Sequence, residues 1–286
     1  MTTSFRTLAC VALLSLIQSF SNAQELPQLS PPARVSQRIG LTDVSITYSR
    51  PSARGRRVFG DVLQYGAVWR TGANHCTVLT TSGPLMLNGQ GLKPGSYSVF
   101  TVPGEGSWSL IFNTDTTLWG AFGRDAAKDV ITVKILQRPT VPTETFTILF
   151  DNIGQDRADL IFRWEKSEAY VTLEAPSEEL ALSNIHQALA DPKADFRAYA
   201  RSADFCAERG LEQKAAIAWA EKSVSMEKHY WNLFTLAKAR AAIGMYSEAI
   251  SAATEAIPLA RKENDESAAR NYEQKVAEWT ARMQGK

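Results

Sequence analysis

The feature that most constrains this chain is a change of hydrophobic period near Pro176. From Arg34 to Glu174 apolar residues mostly alternate with polar ones, the pattern of strands whose successive side chains point to opposite faces of a sheet. Beyond Ala175-Pro176 they recur at helical spacing, and Ala, Glu, Lys and Leu dominate. One segment cannot satisfy both periods, so the chain reads as an all-β part followed by an all-α part.

Alternation marks ten short strands, over residues 35–39, 44–48, 77–81, 85–87, 96–102, 108–112, 130–136, 145–150, 158–164 and 169–174. Asn88-Gly89 and Lys93-Pro94-Gly95 supply turn chemistry between them. The expected N-terminal fold is a β-sandwich, or a barrel-like variant of one. Helices are expected over residues 178–190, 194–209, 211–226, 230–243, 246–260 and 267–283. Gly210 and Gly244 fall at helix ends 34 residues apart, a period that points to helical-hairpin repeats.

The first residues carry Arg6 and no acid, and lead into an apolar run from Leu8 to Phe20 that closes on Ser21-Asn22-Ala23. This is the anatomy of a cleavable export signal, and the run is shorter than the roughly 20 residues of a spanning helix. The expected layout is a signal peptide over 1–23, a β-sandwich domain over 24–175 and a helical-repeat domain over 176–286, in a protein placed in the periplasm or outside the cell. No other segment is apolar enough to form a transmembrane span. A formal charge of +1, from 31 basic and 30 acidic residues, leaves no net electrostatic footprint for nucleic acid. Cys76 and Cys206 fall one in each part and read as two separate buried thiols.

Two resemblances are carried by particular residues. Leu233, Leu236, Ala237, Gly244, Tyr246, Ala249, Ile250, Ala253, Ala256 and Ile257 fall where the tetratricopeptide repeat places its packing residues. An earlier unit, with Tyr199, Gly210, Ala216, Ile217, Ala220, Ser223 and Val224, fits after a one-residue slip, and Arg261 stands where a proline usually closes the repeat. About two repeats with flanking helices are therefore expected, the last helix through Trp279 acting as a cap. The second resemblance rests on Tyr48-Ser49-Arg50-Pro51-Ser52, Arg54-Gly55-Arg56, Val58-Phe59-Gly60, Val68-Trp69-Arg70-Thr71-Gly72-Ala73-Asn74, Leu92-Lys93-Pro94-Gly95-Ser96-Tyr97 and Trp119-Gly120-Ala121-Phe122. These stretches resemble an uncharacterised bacterial secreted family, domain of unknown function 2911. The resemblance implies no activity, since that family has no agreed catalytic residues. His75 stands where the family pattern has Glu.

Arg50, Arg54, Arg56, Arg57 and Arg70 fall within 21 residues among prolines and glycines. Guanidinium forks suit carboxylate, phosphate or sulfate, so these arginines could converge on one anion. The plainer reading is that they pair with acids such as Asp61 and Asp43 and fasten a long loop. Trp69, Trp108 and Trp119 with Tyr48, Tyr65 and Tyr97 offer either a stacking platform for sugar rings or core packing. The three histidines, His75, His186 and His229, form no metal-ligand pair by spacing, and His75 next to Cys76 on a strand would point to the opposite face. Asp115, Asp125 and Asp129 flank Trp119, but not at the spacing of an EF-hand loop.

The functional expectation is an exported, non-enzymatic binding or scaffold protein with no catalytic residue, metal or cofactor assigned. Its helices would contact a protein or peptide beside Tyr199, Leu233 and Leu236. The alternative is a receptor or enzyme that holds an anionic ligand or glycan at Arg50, Arg54, Arg56, Arg70, Thr71, Asn74, His75 and Trp119.

Overall fold

The computed structural model describes residues 26–285. The expected export signal at 1–23 lies outside the described residues. Nine strands come first: β1 (Pro32–Ile39), β2 (Thr42–Ser49), β3 (Thr77–Thr81), β4 (Leu85–Leu87), β5 (Gln90–Leu92), β6 (Gly95–Val102), β7 (Ser107–Asn113), β8 (Asp129–Asp151) and β9 (Arg157–Glu174). They form one antiparallel sheet in the order β1-β2-β3-β6-β7-β8-β9-β4-β5.

The sheet curls until it meets itself. The chain leaving β2 pairs with the second half of β8, where Phe146 N donates to the Pro51 carbonyl and Ala53 N to that of Glu144, each at 2.8 Å. Strands β2, β3, β6, β7 and β8 thereby close into a ring, which removes open edges from this part of the sheet. Inside lie Ile39, Ile46, Leu79, Leu110, Phe112, Ile135, Phe146 and Phe162, all fully buried. They occupy the inward positions that the alternation assigns to them.

The ten expected strands and the nine observed differ by two mergers and one addition. Residues 130–136 and 145–150 belong to the single strand β8, and 158–164 and 169–174 to the single strand β9. Register shifts between Pro139 and Thr143 and between Thr143 and Thr147 let β8 pass through Pro139 and Pro142. A bulge relaxes the demand for ladder donors that proline cannot meet. The short β5, too polar to show alternation, completes the count.

Six helices follow: α1 (Glu178–Ala190), α2 (Phe196–Arg209), α3 (Gln213–Met226), α4 (Tyr230–Ala242), α5 (Tyr246–Lys262) and α6 (Glu266–Met283). Asp195 and Asp265 cap α2 and α6 by accepting from Ala198 N and Ala268 N. Small residues pack the interior, among them Ala203, Ala220, Ala249, Ala253 and Ala256, so the helices approach closely and Leu236, Phe234 and Trp279 fill the remaining space. Among the described residues no helix is long and apolar enough to cross a membrane.

The β and α parts meet at the turn between β1 and β2. Leu41 N donates to the Ser177 hydroxyl at 3.1 Å, and Arg209 reaches across to Asp156 at 3.2 Å while also holding Glu178 of α1 at 3.4 Å. Gly40 has φ +56, and a Cβ there would overlap the Ser177 hydroxyl. The turn and the closeness of the helical part therefore both demand glycine.

Candidate functional site

Two loops build the most exposed cluster of aromatic and charged groups on the β part. The first runs through Trp69 to Cys76 and is held rigidly from below. Trp69 exchanges backbone hydrogen bonds with Thr101 at 2.7 and 2.9 Å, and its indole donates to the Gly72 carbonyl at 2.9 Å. Its ring stacks on Trp164 at 5.7 Å and meets Phe146 edge-on at 4.9 Å. Trp69 is thus a core pin, as are Trp108 and Tyr48.

Thr71 and Asn74 both lie at positive φ, +54° and +57°. The hydroxyl of Thr71 donates to that of Thr101 at 3.1 Å, and its carbonyl accepts from Thr77 Oγ1 at 2.6 Å. Asn74 donates to Gln28 Oε1 and the Ser30 carbonyl, both at 3.1 Å. These bonds offset the backbone strain of the two left-handed residues. They also consume Thr71 and Asn74, which position the loop and do not face a ligand.

The second loop, residues 114–128, folds over the first. Cys76 N donates to the Leu118 carbonyl at 3.0 Å, and the Cys76 thiol to that of Gly120 at 3.6 Å. His75 then meets Trp119 edge-to-face, ring centres 4.1 Å apart. A Cβ on Gly120 would lie 2.8 Å from the Phe122 ring, so glycine lets that ring fold back against the loop, while Arg70 Nη1 lies at ordinary contact distance, 3.6 Å. The result is a surface with Trp119 at 55 % exposure and Phe122 at 90 %, His75 beside them and the half-buried Arg70 behind. Arg70 Nε is buried without a hydrogen-bond partner among the described residues.

Burial pushes the Cys76 thiol up to about 11, the charge of Arg70 offsetting part of this while Asp115 adds to it. A thiol held neutral is a poor nucleophile. Cys76 and Cys206 are both free and buried. Asp115 is drawn down to about 2, first by the hydrogen bond from Lys128 at 2.8 Å and then by those from Thr117. Asp129 is paired with Arg124 and Asn113, and Asp125 caps the turn at Ala127. Among the described residues no three His, Cys, Asp or Glu side chains gather as a metal site.

The remaining arginines lie elsewhere and point at carbonyl oxygens. Arg50 donates to Phe146 O at 3.0 Å and Thr147 Oγ1 at 2.6 Å, Arg54 to Leu29 O at 2.8 Å, and Arg56 to Ala53 O and Ser52 O at 2.9 and 3.0 Å. Arg50 fastens the loop after β2 onto β8, Arg54 ties it to the segment before β1 and Arg56 braces it internally, while Asp43 is engaged by Arg38 instead. Of the eight residues named for the ligand site, Arg70, His75 and Trp119 come together, while Arg50, Arg54, Arg56, Thr71 and Asn74 hold loops. Phe122 joins the cluster; its only signal in the sequence is its place in the Trp119-Gly120-Ala121-Phe122 stretch that carries the family resemblance.

On the helical part, Leu233 and Leu236 are buried between helices, and Tyr199 is half-buried. Nearby is a stack that sequence reasoning missed, with Phe196 buried at its base and His229 and Trp231 half-buried at the surface. Phe196, His229 and Trp231 lie nearly parallel, with centres 5.1 Å and 5.3 Å apart, and Arg197 covers the Phe196 ring at 4.4 Å. These residues come from the starts of α2 and α4, so only the packing of the two helices assembles them.

A family model described as "Protein of unknown function (DUF2911)" matches residues 30–173, the span that holds the closed sheet and both loops of the Arg70 cluster. No curated protein matches the chain, and no solved structure matches it. The match covers half of the chain and agrees with the residues quoted from the sequence; the chain belongs to the DUF2911 family.

Proposed function

We propose that this chain is an exported, non-enzymatic binding protein whose helices, a short tetratricopeptide-like domain beginning near residue 176, make its protein contacts. The single observation that carries this reading is the stack of Phe196, His229 and Trp231 under Arg197. Rigid aromatic side chains flanked by arginine are the residue types that dominate protein-binding energetics, because they bury much area at small entropic cost. The occupant suited to it is an extended peptide carrying acidic and aromatic residues. The neutral, buried Cys76 thiol is unsuited to act as a nucleophile, and Arg50 and Arg56 are bonded within the fold.

Random-peptide display on the chain lacking residues 1–23 tests this. Acidic, aromatic-containing peptides are expected to be enriched, and their affinity to fall about tenfold or more in Trp231→Ala, the equivalent of about 1.4 kcal/mol. Selection of no peptides, or equal binding by the variant, overturns it.

A second reading is favoured by the convergence of Arg70, His75 and Trp119. A ring face beside a guanidinium suits an acidic sugar, stacked on Trp119 and paired to Arg70. Quenching of tryptophan fluorescence by uronic acids, lost in Trp119→Ala and in Arg70→Gln, supports it; quenching unaltered by either change removes it.

A further inference from the structure

We infer that the seam between the sheet and the helices is a distinct binding site for a small amphipathic carboxylate. A cavity of about 370 Å³ opens there, between the β1–β2 turn, the turn at Gln155 and Asp156, and helices α1 and α2. This is within the range of small-molecule sites, about 300–1,000 Å³. None of its residues belongs to the Phe196 stack or to the Arg70 cluster.

The lining divides into two chemistries. Leu41, Ala181, Ile185 and Phe205 present an apolar wall, each only partly covered by the surrounding protein. An apolar surface left in a concave seam favours whatever can cover it. The charged groups sit toward the mouth. Asp156 and Arg209 neutralise each other at 3.2 Å, and Arg209 also faces Glu178 at 3.4 Å. Arg201, exposed at the rim, has no ion-pair partner among the described residues. The seam therefore offers one uncommitted guanidinium, with the amide of Asn184 nearby.

That pairing selects the ligand. A carboxylate can take the planar fork of Arg201 in two parallel hydrogen bonds, while its hydrocarbon portion covers the wall. Inorganic phosphate would satisfy the fork but leave the wall wet, and a polyhydroxylated sugar would find too few partners on it. The volume accommodates one short chain or ring. Because the walls come from both parts of the protein, an occupant would brace them against each other and stabilise the folded chain through binding.

Calorimetric titration of the chain lacking residues 1–23 with octanoate, octanamide and acetate tests the site, using wild type, Arg201→Gln and Ala181→Trp. Octanoate is expected to bind saturably, with octanamide and acetate each at least tenfold weaker. Arg201→Gln should bring octanoate down to the level of octanamide without altering octanamide binding, and Ala181→Trp should fill the cavity and abolish both. Failure of octanoate to bind, or octanoate affinity unchanged in Arg201→Gln, overturns the proposal. The Arg201→Gln comparison decides the matter by itself if circular dichroism shows that Ala181→Trp does not fold.

Discussion

At the scale of single residues, the charged groups of the β part are mostly structural, and Glu168 is the clearest case. It is buried at 4 % side-chain exposure between Arg138 at 2.6 Å and Arg163 at 2.7 Å. Burial works against its charge, yet the hydrogen bonds from the two guanidiniums outweigh that cost and hold its carboxyl below the usual range. A carboxylate whose folded value is depressed contributes stability above its unfolded value, about 4.3, and loses it as pH falls through the lower folded value. Glu168→Gln is expected to cost about 1–3 kcal/mol at pH 7, the half-exposed Arg138 limiting the loss through solvent screening. In urea unfolding the gap between variant and wild type should close as pH is lowered below 4.3; a pH-independent gap would contradict the assignment.

At the scale of elements, the long β8–β9 hairpin organises the sheet because its bulges turn side chains toward the loops. Glu165, at φ +54, interrupts the regular course of β9, and its carboxylate accepts from Val58 N at 2.9 Å. Val58 is fully buried, so removing that acceptor strands a donor away from water. Glu165→Ala should cost about 1–3 kcal/mol, whereas Glu165→Gln, which keeps an acceptor oxygen, should cost less. Hydrogen exchange at the Val58 amide reads this directly: acceleration in the alanine variant alone is expected.

At the scale of the whole molecule, the two parts are joined by few polar contacts; Arg209 makes one of them, to Asp156, and steadies it with a second bond to Glu178 inside the helical part. Its guanidinium also lies over the Phe205 ring at 5.0 Å. Arg209→Ala is expected to cost about 1 kcal/mol, because both acids remain substantially solvated. The visible effect should be faster proteolysis of the connection at residues 174–178, with the sheet surviving as a protected fragment. An unchanged cleavage rate would show that the Leu41–Ser177 hydrogen bond and the packing around it hold the seam without Arg209.

What was legible in the sequence is what local chemistry specifies. The switch of period at Pro176 separates strands from helices, the expected helix bounds lie within two residues of the observed ones at most ends, and Gly210 closes α2 at φ +68. Each depends on neighbours a few positions away. That the arginines fasten a loop was one of two readings open in the sequence, but the long-range partners were not legible: Arg50 meets Phe146 from 96 positions away, and Cys76 meets Gly120 from 44. Alternation tells which face a strand buries, but not where a curled sheet closes on itself. That closure turned Arg50 toward β8, the fold of loop 114–128 over Cys76 brought Trp119 to His75, and the packing of the helices on the β1–β2 turn left Arg201 beside an apolar seam.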